Sequence, residues 1–433
     1  MYTPWIVSGI FVVTYLCIAI GKPSGVVAAL IGALILALYG AIAGFLPQAA
    51  VPTVIDWDTM GLLVGMMLVV GMMKRTKLFA VLAWWGIRFS RGSPVRLFWL
   101  VGVTTALISG FFDNVTTVLL LIPLTAEACR RLGVDLRPFV LAEVFASNIG
   151  GVATLIGDPP NILIGSAAAL SFMDFFCHVG PIALAALIVA LLYVQWRFRA
   201  TFHTRPVVDY ADAVAMTSSD RRALSWGGGV LALTLVLFFV HDRLHLMPAT
   251  IAFLGAALLL VLNRDPPERA LHEVDWSLLL FFGSLFVMVA ALERVGVIAQ
   301  LARGMLAVTG SNLFVVAGGV LIVTGFISSV VNNVPLAAAM VPLITEMSRA
   351  PELAAQLSGY TINPLWWALV LGVGLGGNGT LVGASANIVA ASALEQLGQP
   401  VSFREFLALG IPVMLLNLLI SGVLLYGVLV LRL

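Results

Sequence analysis

Two short segments decide the reading: Asp113-Asn114-Val115-Thr116-Thr117, and Gly150-Gly151-Val152-Ala153-Thr154-Leu155-Ile156-Gly157-Asp158-Pro159-Pro160-Asn161. They return in the second half of the chain as Asn332-Asn333-Val334-Pro335 and Gly376-Gly377-Asn378-Gly379-Thr380-Leu381-Val382-Gly383-Ala384-Ser385-Ala386-Asn387. All four place Gly, Asn, Thr or Pro inside apolar sequence. Polar, helix-breaking backbone at membrane depth is tolerated only where it is buried in protein or lines a cavity. Paired interruptions in corresponding positions of two halves therefore point to a transport site between repeats.

Composition sets the class. With 61% hydrophobic and 10% charged residues the chain reads as a polytopic α-helical membrane protein, because its apolar runs exceed the roughly 18 residues that span a bilayer. The net charge of +2 is spread over loops without a basic run, so no nucleic-acid partner is expected. Cys17, Cys129 and Cys177 lie far apart in apolar segments, read as small core residues, and suggest neither a disulfide framework nor a metal site. No cofactor motif appears. The N-terminus lacks a basic n-region and a small-residue cleavage site, so Tyr2 to Ile20 is read as a first span.

The repeat holds at a constant offset. Asp56-Trp57 recurs 219 residues on as Asp275-Trp276, Ile108-Ser109 as Ile327-Ser328, and Pro123, Glu127 and Arg130 as Pro342, Glu346 and Arg349. Further along the offset is 226, pairing Gly150, Thr154, Gly157 and Asn161 with Gly376, Thr380, Gly383 and Asn387. Ser171-Phe172 then meets Ser402-Phe403, and Pro181 meets Pro412, at 231.

Span counting gives the sense of the repeat. The first, 1–197, reads as crossings near 5–21, 24–45, 58–73, 138–170 (broken) and 180–196, with a helical hairpin at 97–129. The second, 225–433, reads as crossings near 225–240, 247–262, 276–292, 364–395 (broken) and 406–430, with a hairpin at 312–348. A hairpin enters and leaves on one side, so each half keeps an odd number of crossings and the second must be inverted. The expected fold is thus all-α: two inverted repeats, about 10 transmembrane helices, two of them broken, and two re-entrant hairpins. One set of predicted loops carries 18 of the 23 Lys plus Arg residues. The positive-inside rule makes that side the cytoplasm and puts both termini outside. The linker 198–224 would then be cytoplasmic, and Lys77 to Ser90 reads as a short interfacial helix anchored by Trp84 and Trp85.

Hairpin tips of this kind, each followed by a broken helix with a Gly-Gly-x-x-Thr-x-x-Gly-x-x-x-Asn core, resemble the ion transporter superfamily. That group includes ArsB-type arsenite permeases, the melanosomal P protein family, NhaD-type sodium/proton antiporters and divalent-anion/sodium symporters. The similarity is strongest to the permease and P protein branch, through Ala142-Glu143-Val144, Asn148-Ile149-Gly150-Gly151 and the run to Asn161, and through Gly376 to Asn387. The resemblance implies a scaffold formed by the outer crossings, a mobile domain of hairpins and broken helices moving as an elevator, and a homodimer. Some ArsB-type permeases also use an external ATPase subunit.

The residues themselves suggest the chemistry. Broken helices expose N–H groups at one half-helix end and carbonyls at the other, so one cavity can hold an oxygen-rich solute together with a cation. Asn114, Thr116, Thr117, Asn148, Thr154, Asn161, Asn332, Asn333, Asn378, Thr380 and Asn387 are the candidate lining. The competing reading is that these side chains only satisfy backbone groups at the breaks. The halves differ in charge: Asp113 and Asp158 correspond to Asn332 and Ala384. A carboxylate near the midplane costs several kcal/mol unless paired or protonated, which suits a proton carrier. Asp158 is the first candidate for proton coupling, Asp113 the second, each with a helix N-cap as the alternative role; Glu143 would pair with either or face a cytoplasmic vestibule. Glu127 and Glu346 read as interfacial partners of Arg130 and Arg349.

The expectation is a secondary active transporter in the inner membrane, exporting arsenite or antimonite against protons. Sodium/proton antiport or ion-coupled transport of an organic or inorganic anion is the alternative. The scattered cysteines do not suit trithiolate capture of arsenite, whereas the uncharged trihydroxide suits an Asn/Thr/backbone cavity. With no nucleophile/base pair, metal cluster or nucleotide-binding motif, an enzyme or a primary pump is not expected.

Overall fold

The computed structural model describes residues 3–20, 22, 24–76, 81, 88–203, 218–263 and 266–431, and among these the regular structure is helical throughout. The first half runs α1 (Thr3–Ile20), α2 (Gly25–Ala43), α3 (Trp57–Lys74), α4 (Pro94–Ser109), α5 (Asn114–Leu132), α6 (Arg137–Val152), α7 (Pro159–Ala167), α8 (Phe172–His178) and α9 (Gly180–Arg197). The second runs α10 (Ser218–Leu244), α11 (Pro248–Asn263), α12 (Pro267–Leu271), α13 (Trp276–Arg294), α14 (Val297–Thr309), α15 (Leu313–Ser328), α16 (Asn333–Ser348), α17 (Pro351–Leu357), α18 (Pro364–Gly376), α19 (Ser385–Gln396) and α20 (Phe403–Leu431).

Local chemistry sets the boundaries. Asp56 caps α3 by accepting from the N–H groups of Asp58 and Thr59, both at 3.1 Å, and its repeat mate Asp275 caps α13 through Leu278 at 3.0 Å. Proline in the first turn opens α4, α6, α7 and α18, where the missing N–H would have had no partner. Asp113 and Asn332 cap the second arms of the two hairpins, bonding the N–H groups of Thr116 (2.8 Å) and Val334 (3.1 Å).

The long helices α2, α3, α9, α10, α13 and α20 are apolar enough to cross a bilayer, and α1 and α11 are shorter apolar helices. With the interrupted pairs α6/α7 and α18/α19, every expected crossing falls on a helix. Their contacts repeat when the halves are exchanged. α4 lies on α6 as α15 lies on α18, α2 lies on α13 as α11 lies on α3, and α5 lies on α19 as α16 lies on α7. The pairs α6/α18 and α9/α20 meet each other across the two-fold axis. Every residue from Pro138 to Val152 and from Pro364 to Gly376 is buried. A helix covered on all sides has no solvent-facing polar stripe, and the polar residues within 138–152 of α6, Glu143, Ser147 and Asn148, are buried with the rest. Outward residues such as Leu38, Ile42, Leu419 and Val423 are exposed; a surface of that kind suits lipid.

Three features differ from the sequence reading. The first broken helix turns a second time, α8 leaving α7 at 111°. Hairpin two is preceded by α14, bent 113° from α15, with Ile298 and Ala302 buried one turn apart and most other positions outside. That amphipathic stripe suits an interfacial helix. The corresponding Lys77 to Ser90 segment falls largely outside the described residues, as does 204–217 of the linker; 218–224 already belong to α10. The cysteines are free, but only Cys129 is a core residue: Cys17 is half-buried and Cys177, on α8, is exposed.

Candidate transport site

Each break in the membrane leaves carbonyls without a helical partner, and the repeated motif closes them internally. The Asn161 amide donates to the carbonyls of Gly151 (2.9 Å), Val152 (3.2 Å) and Thr154 (2.8 Å). The Asn387 amide does the same to Gly377 (2.8 Å) and Thr380 (2.7 Å). The Thr154 hydroxyl donates to the Gly110 carbonyl and the Thr380 hydroxyl to that of Ser329, tying each break to the turn of its own hairpin. Glycine permits the approach: a Cβ on Gly150 would sit 2.2 Å from the Ala106 carbonyl oxygen, and one on Gly376 2.3 Å from that of Gly325. Thr154, Asn161, Thr380 and Asn387 therefore use their donors on backbone, as the competing reading had it.

Asn148 joins the halves. Its amide donates to the side-chain oxygens of Asn378 and Asn387, both at 2.9 Å, while its own oxygen faces the Asn114 amide at 3.5 Å. Asn114 in turn accepts from the Ser109 hydroxyl at 2.7 Å. The repeat mate of Asn148 is Gly374, where a Cβ would strike Val152 at 2.1 Å. Only one half can place a side chain on the axis, and this asparagine ties the tip of hairpin one to the break of half two.

Against these tips lies a cavity of about 730 Å³. Of the sequence candidates, Asp113, Asn114, Thr116, Asp158, Asn332 and Asn333 line it. Four helix N-termini, those of α5, α7, α16 and α19, contribute first-turn residues to its wall, which gives it positive dipole ends. Asp113 and Asp158 stand at the two from half one; their counterparts in half two, Asn332 and Ala384, are uncharged. The cavity thus has an acidic end and an end where helix N–H groups meet no fixed charge. Asp158 makes no capping bond; its Oδ2 accepts from the Asn333 amide at 2.9 Å, across the two halves, and the residue is buried. Asp113 is an ordinary cap.

The remaining candidates lie elsewhere. Thr117 is fully buried with its hydroxyl unpartnered, and the Asn378 amide is likewise buried and unpartnered. Glu143 neither pairs with an aspartate nor faces a vestibule: it is fully buried, accepts from the Thr125 hydroxyl at 2.5 Å, and leaves Oε2 without a partner. Glu127 bonds Arg130 and Arg131, each at 2.7 Å, and Glu346 bonds Arg349 at 3.3 Å, all at exposed or half-buried hairpin ends. The cavity mouth adds Lys74, Glu273, Asp275 and Ser385, which sequence reasoning did not select. Asp275 was visible only as the repeat mate of Asp56, Ser385 lay inside the motif at 376–387 without being singled out, and Lys74 and Glu273 carried no local signal.

Residues 15–372 match a family described as citrate transporter. The chain belongs to that family, within the ion transporter superfamily. It is 40% identical over 422 residues to an uncharacterized transporter of Mycobacterium tuberculosis, covering 96% of both chains. It is 39% identical over 421 residues to a 46 kDa membrane protein of Mycobacterium leprae, covering 96% of this chain and 97% of that one. The P protein of Mus musculus is 32% identical over 473 residues, covering 90% of this chain and 56% of its own. The fold is shared with the YdaH transporter of Alcanivorax borkumensis, with a TM-score of 0.58, 18% identity and coverage of 90% and 88%. It is also shared with MtrF of Neisseria gonorrhoeae, with a TM-score of 0.63, 14% identity and coverage of 90% and 83%. The protein is a secondary membrane transporter and not an enzyme.

Proposed function

We propose that the protein couples proton movement to transport of a small, oxygen-rich solute by alternating access, with Asp158 as the proton carrier. The observation that carries this reading is the position of Asp158. It is a buried carboxylate on the cavity wall, free of any capping duty and bonded to an amide of the opposite half. A proton gained or lost there changes the charge at the end of the cavity where α7 begins, and so changes what the cavity holds.

For the cargo, arsenite or antimonite as the uncharged trihydroxide is the leading assignment. Asn114, Asn333 and Thr116 offer donors and acceptors to hydroxyl groups, and no cysteine is on the wall. A second reading, an organic anion such as citrate, is favoured by the four helix N-termini and by the family description. It requires Asp113 and Asp158 to be neutralised by protons or a cation, since among the described residues Lys74 is the one basic residue on a wall that also carries Glu273 and Asp275. The mouth residues Lys74, Glu273 and Asp275 lie at helix ends that the distribution of basic residues assigns to the cytoplasm. In this reading the cavity faces inward across the inner membrane and both termini face out.

Purified protein in proteoliposomes under an imposed pH gradient tests this, with arsenite, sodium, chloride and citrate offered in parallel. Arsenite should accumulate with the gradient. Asp158→Asn should abolish accumulation while leaving exchange of solute across the membrane. Wild-type pH dependence in Asp158→Asn removes the carrier assignment, and transport of citrate but not arsenite selects the second reading.

A further inference from the structure

The cavity opens at one end of α3 and α13, where Lys74 and Asp275 lie, and takes no residue from their opposite ends, which form the closed side. There α7 lies against α3 and α16 against α13. A recess of about 520 Å³ on the closed side, lined by Asp56, Glu293, Arg294 and Pro342 among others, takes no residue from either hairpin tip. On the open side the two-fold mates of these contacts, α19 with α13 and α5 with α3, are separated by the cavity itself, whose walls include Phe281, Ser385, Met67 and Leu119.

One polar link on the closed side has a two-fold mate in the sequence. The Ser166 hydroxyl, on α7, donates to Oδ2 of Asp56, the residue that caps α3. Asp275 repeats Asp56 as the cap of α13. Ser166 is the eighth residue of α7 and Ser392 the eighth of α19, in the register that pairs Asn161 with Asn387. Among the described residues no hydrogen bond joins Asp275 to Ser392, and both are exposed. Closing the cavity by the two-fold operation would seat α19 on α13 as α7 now sits on α3.

We propose that Asp56–Ser166 and Asp275–Ser392 are an alternating pair of latches, the first holding the present state and the second forming when the cavity closes. The proposal rests on the alternating-access reading above. Geometry supports it in two ways: each aspartate caps its helix through Oδ1 and leaves Oδ2 outside the cap, where Asp56 accepts from Ser166 as well as from Thr59 of its own helix, and each serine sits on a short half-helix of the broken crossing. A hydrogen bond to a carboxylate that exists in one state only biases the equilibrium by its own strength, on the order of tenfold.

The test uses full-length protein with Cys17, Cys129 and Cys177 replaced by serine, reconstituted in liposomes, with Thr116→Cys as a reporter labelled by an impermeant maleimide from either face. Ser166→Ala should shift the ratio of cavity-face to opposite-face labelling on the order of tenfold toward the opposite face, and Ser392→Ala should shift it toward the cavity face. A folding defect would move both in one direction, so shifts of the same sign overturn the latch pair. The double variant Asp275→Cys/Ser392→Cys, without the reporter, should form a disulfide under mild oxidation, detected by mass spectrometry of the linked peptides. In reporter protein carrying that pair, oxidation should abolish labelling from the cavity face. Absence of the disulfide, with the reporter still labelled from both faces, overturns the latch and leaves alternating access standing. A reporter labelled from one face under all conditions overturns alternating access itself.

Discussion

Replacing Asn161 separates a brace from a ligand. Its amide has two hydrogens and three acceptors, the carbonyls of Gly151, Val152 and Thr154 at 2.9, 3.2 and 2.8 Å, so Asn161→Ala removes two net hydrogen bonds. Stranding buried acceptors costs about 1–2 kcal/mol each, which puts the loss at about 2–4 kcal/mol. That exceeds the ~0.6 kcal/mol average of interhelical pairs in a membrane, because a carbonyl at a break has no helical partner to fall back on. Asn161→Asp should be worse than Ala, since an ionised carboxylate faces carbonyl oxygens with no donor to offer. Asn387→Ala should cost more than Asn161→Ala, because Asn387 also accepts from Asn148 at 2.9 Å. The assay is the apparent melting temperature of solute-free protein in detergent, alongside KM and kcat for the transported solute. A brace lowers the melting temperature without solute present; a ligand raises KM and leaves it alone. Wild-type melting of Asn161→Ala together with a raised KM would refute the brace assignment and return Asn161 to the lining.

Gly150→Ala and Gly376→Ala should each destabilise the solute-free protein, since the new methyl would lie 2.2 and 2.3 Å from backbone carbonyl oxygens of the hairpin arms; overpacking of this kind costs about 1–3 kcal/mol, read as a lower melting temperature. In a cysteine-free background, Arg131→Cys and Arg349→Cys, at the ends of the two hairpins, should be labelled by impermeant reagents from opposite faces of the membrane. Labelling from one face would make at least one hairpin a full crossing and remove the inverted relation.

Much of the architecture was legible along the chain. Asp113 and Asn332 announce hairpin tips because capping is local: the side chain bonds an N–H two or three residues on, and the apolar stretch before it has to end there. The 219 and 226 offsets carry the two-fold relation, since each half must present the same turns and close approaches. Glycines at 150 and 376 mark where hairpin backbone meets broken helix, a requirement any residue with a Cβ would violate. α8 escaped because it is short and its bend of 111° leaves no composition signal of its own, whereas α14, with 13 residues, shows an amphipathic stripe that its apolar surroundings hid.

What the linear chain left open was the direction in which each polar side chain points. Asn161 and Asn333 are the same residue type, each in the first turn of a helix that begins at membrane depth, yet one folds its amide onto carbonyls up to ten residues back and the other reaches Asp158, 175 residues away. Sequence patterning reports that a segment is polar where the membrane should be apolar. It cannot say whether the polarity serves the backbone or a solute, because both satisfy the same demand for hydrogen bonds in a medium without water. That choice is made by packing across the two-fold axis, where Asn148 meets Asn378 and Asn387 and its repeat mate is a glycine. The open side of the cavity is also a tertiary outcome: α7 packs on α3 and α16 on α13, while their repeat mates α19 and α5 stand across the cavity from α13 and α3. The two halves carry corresponding residues, and only the three-dimensional contacts show which set is formed.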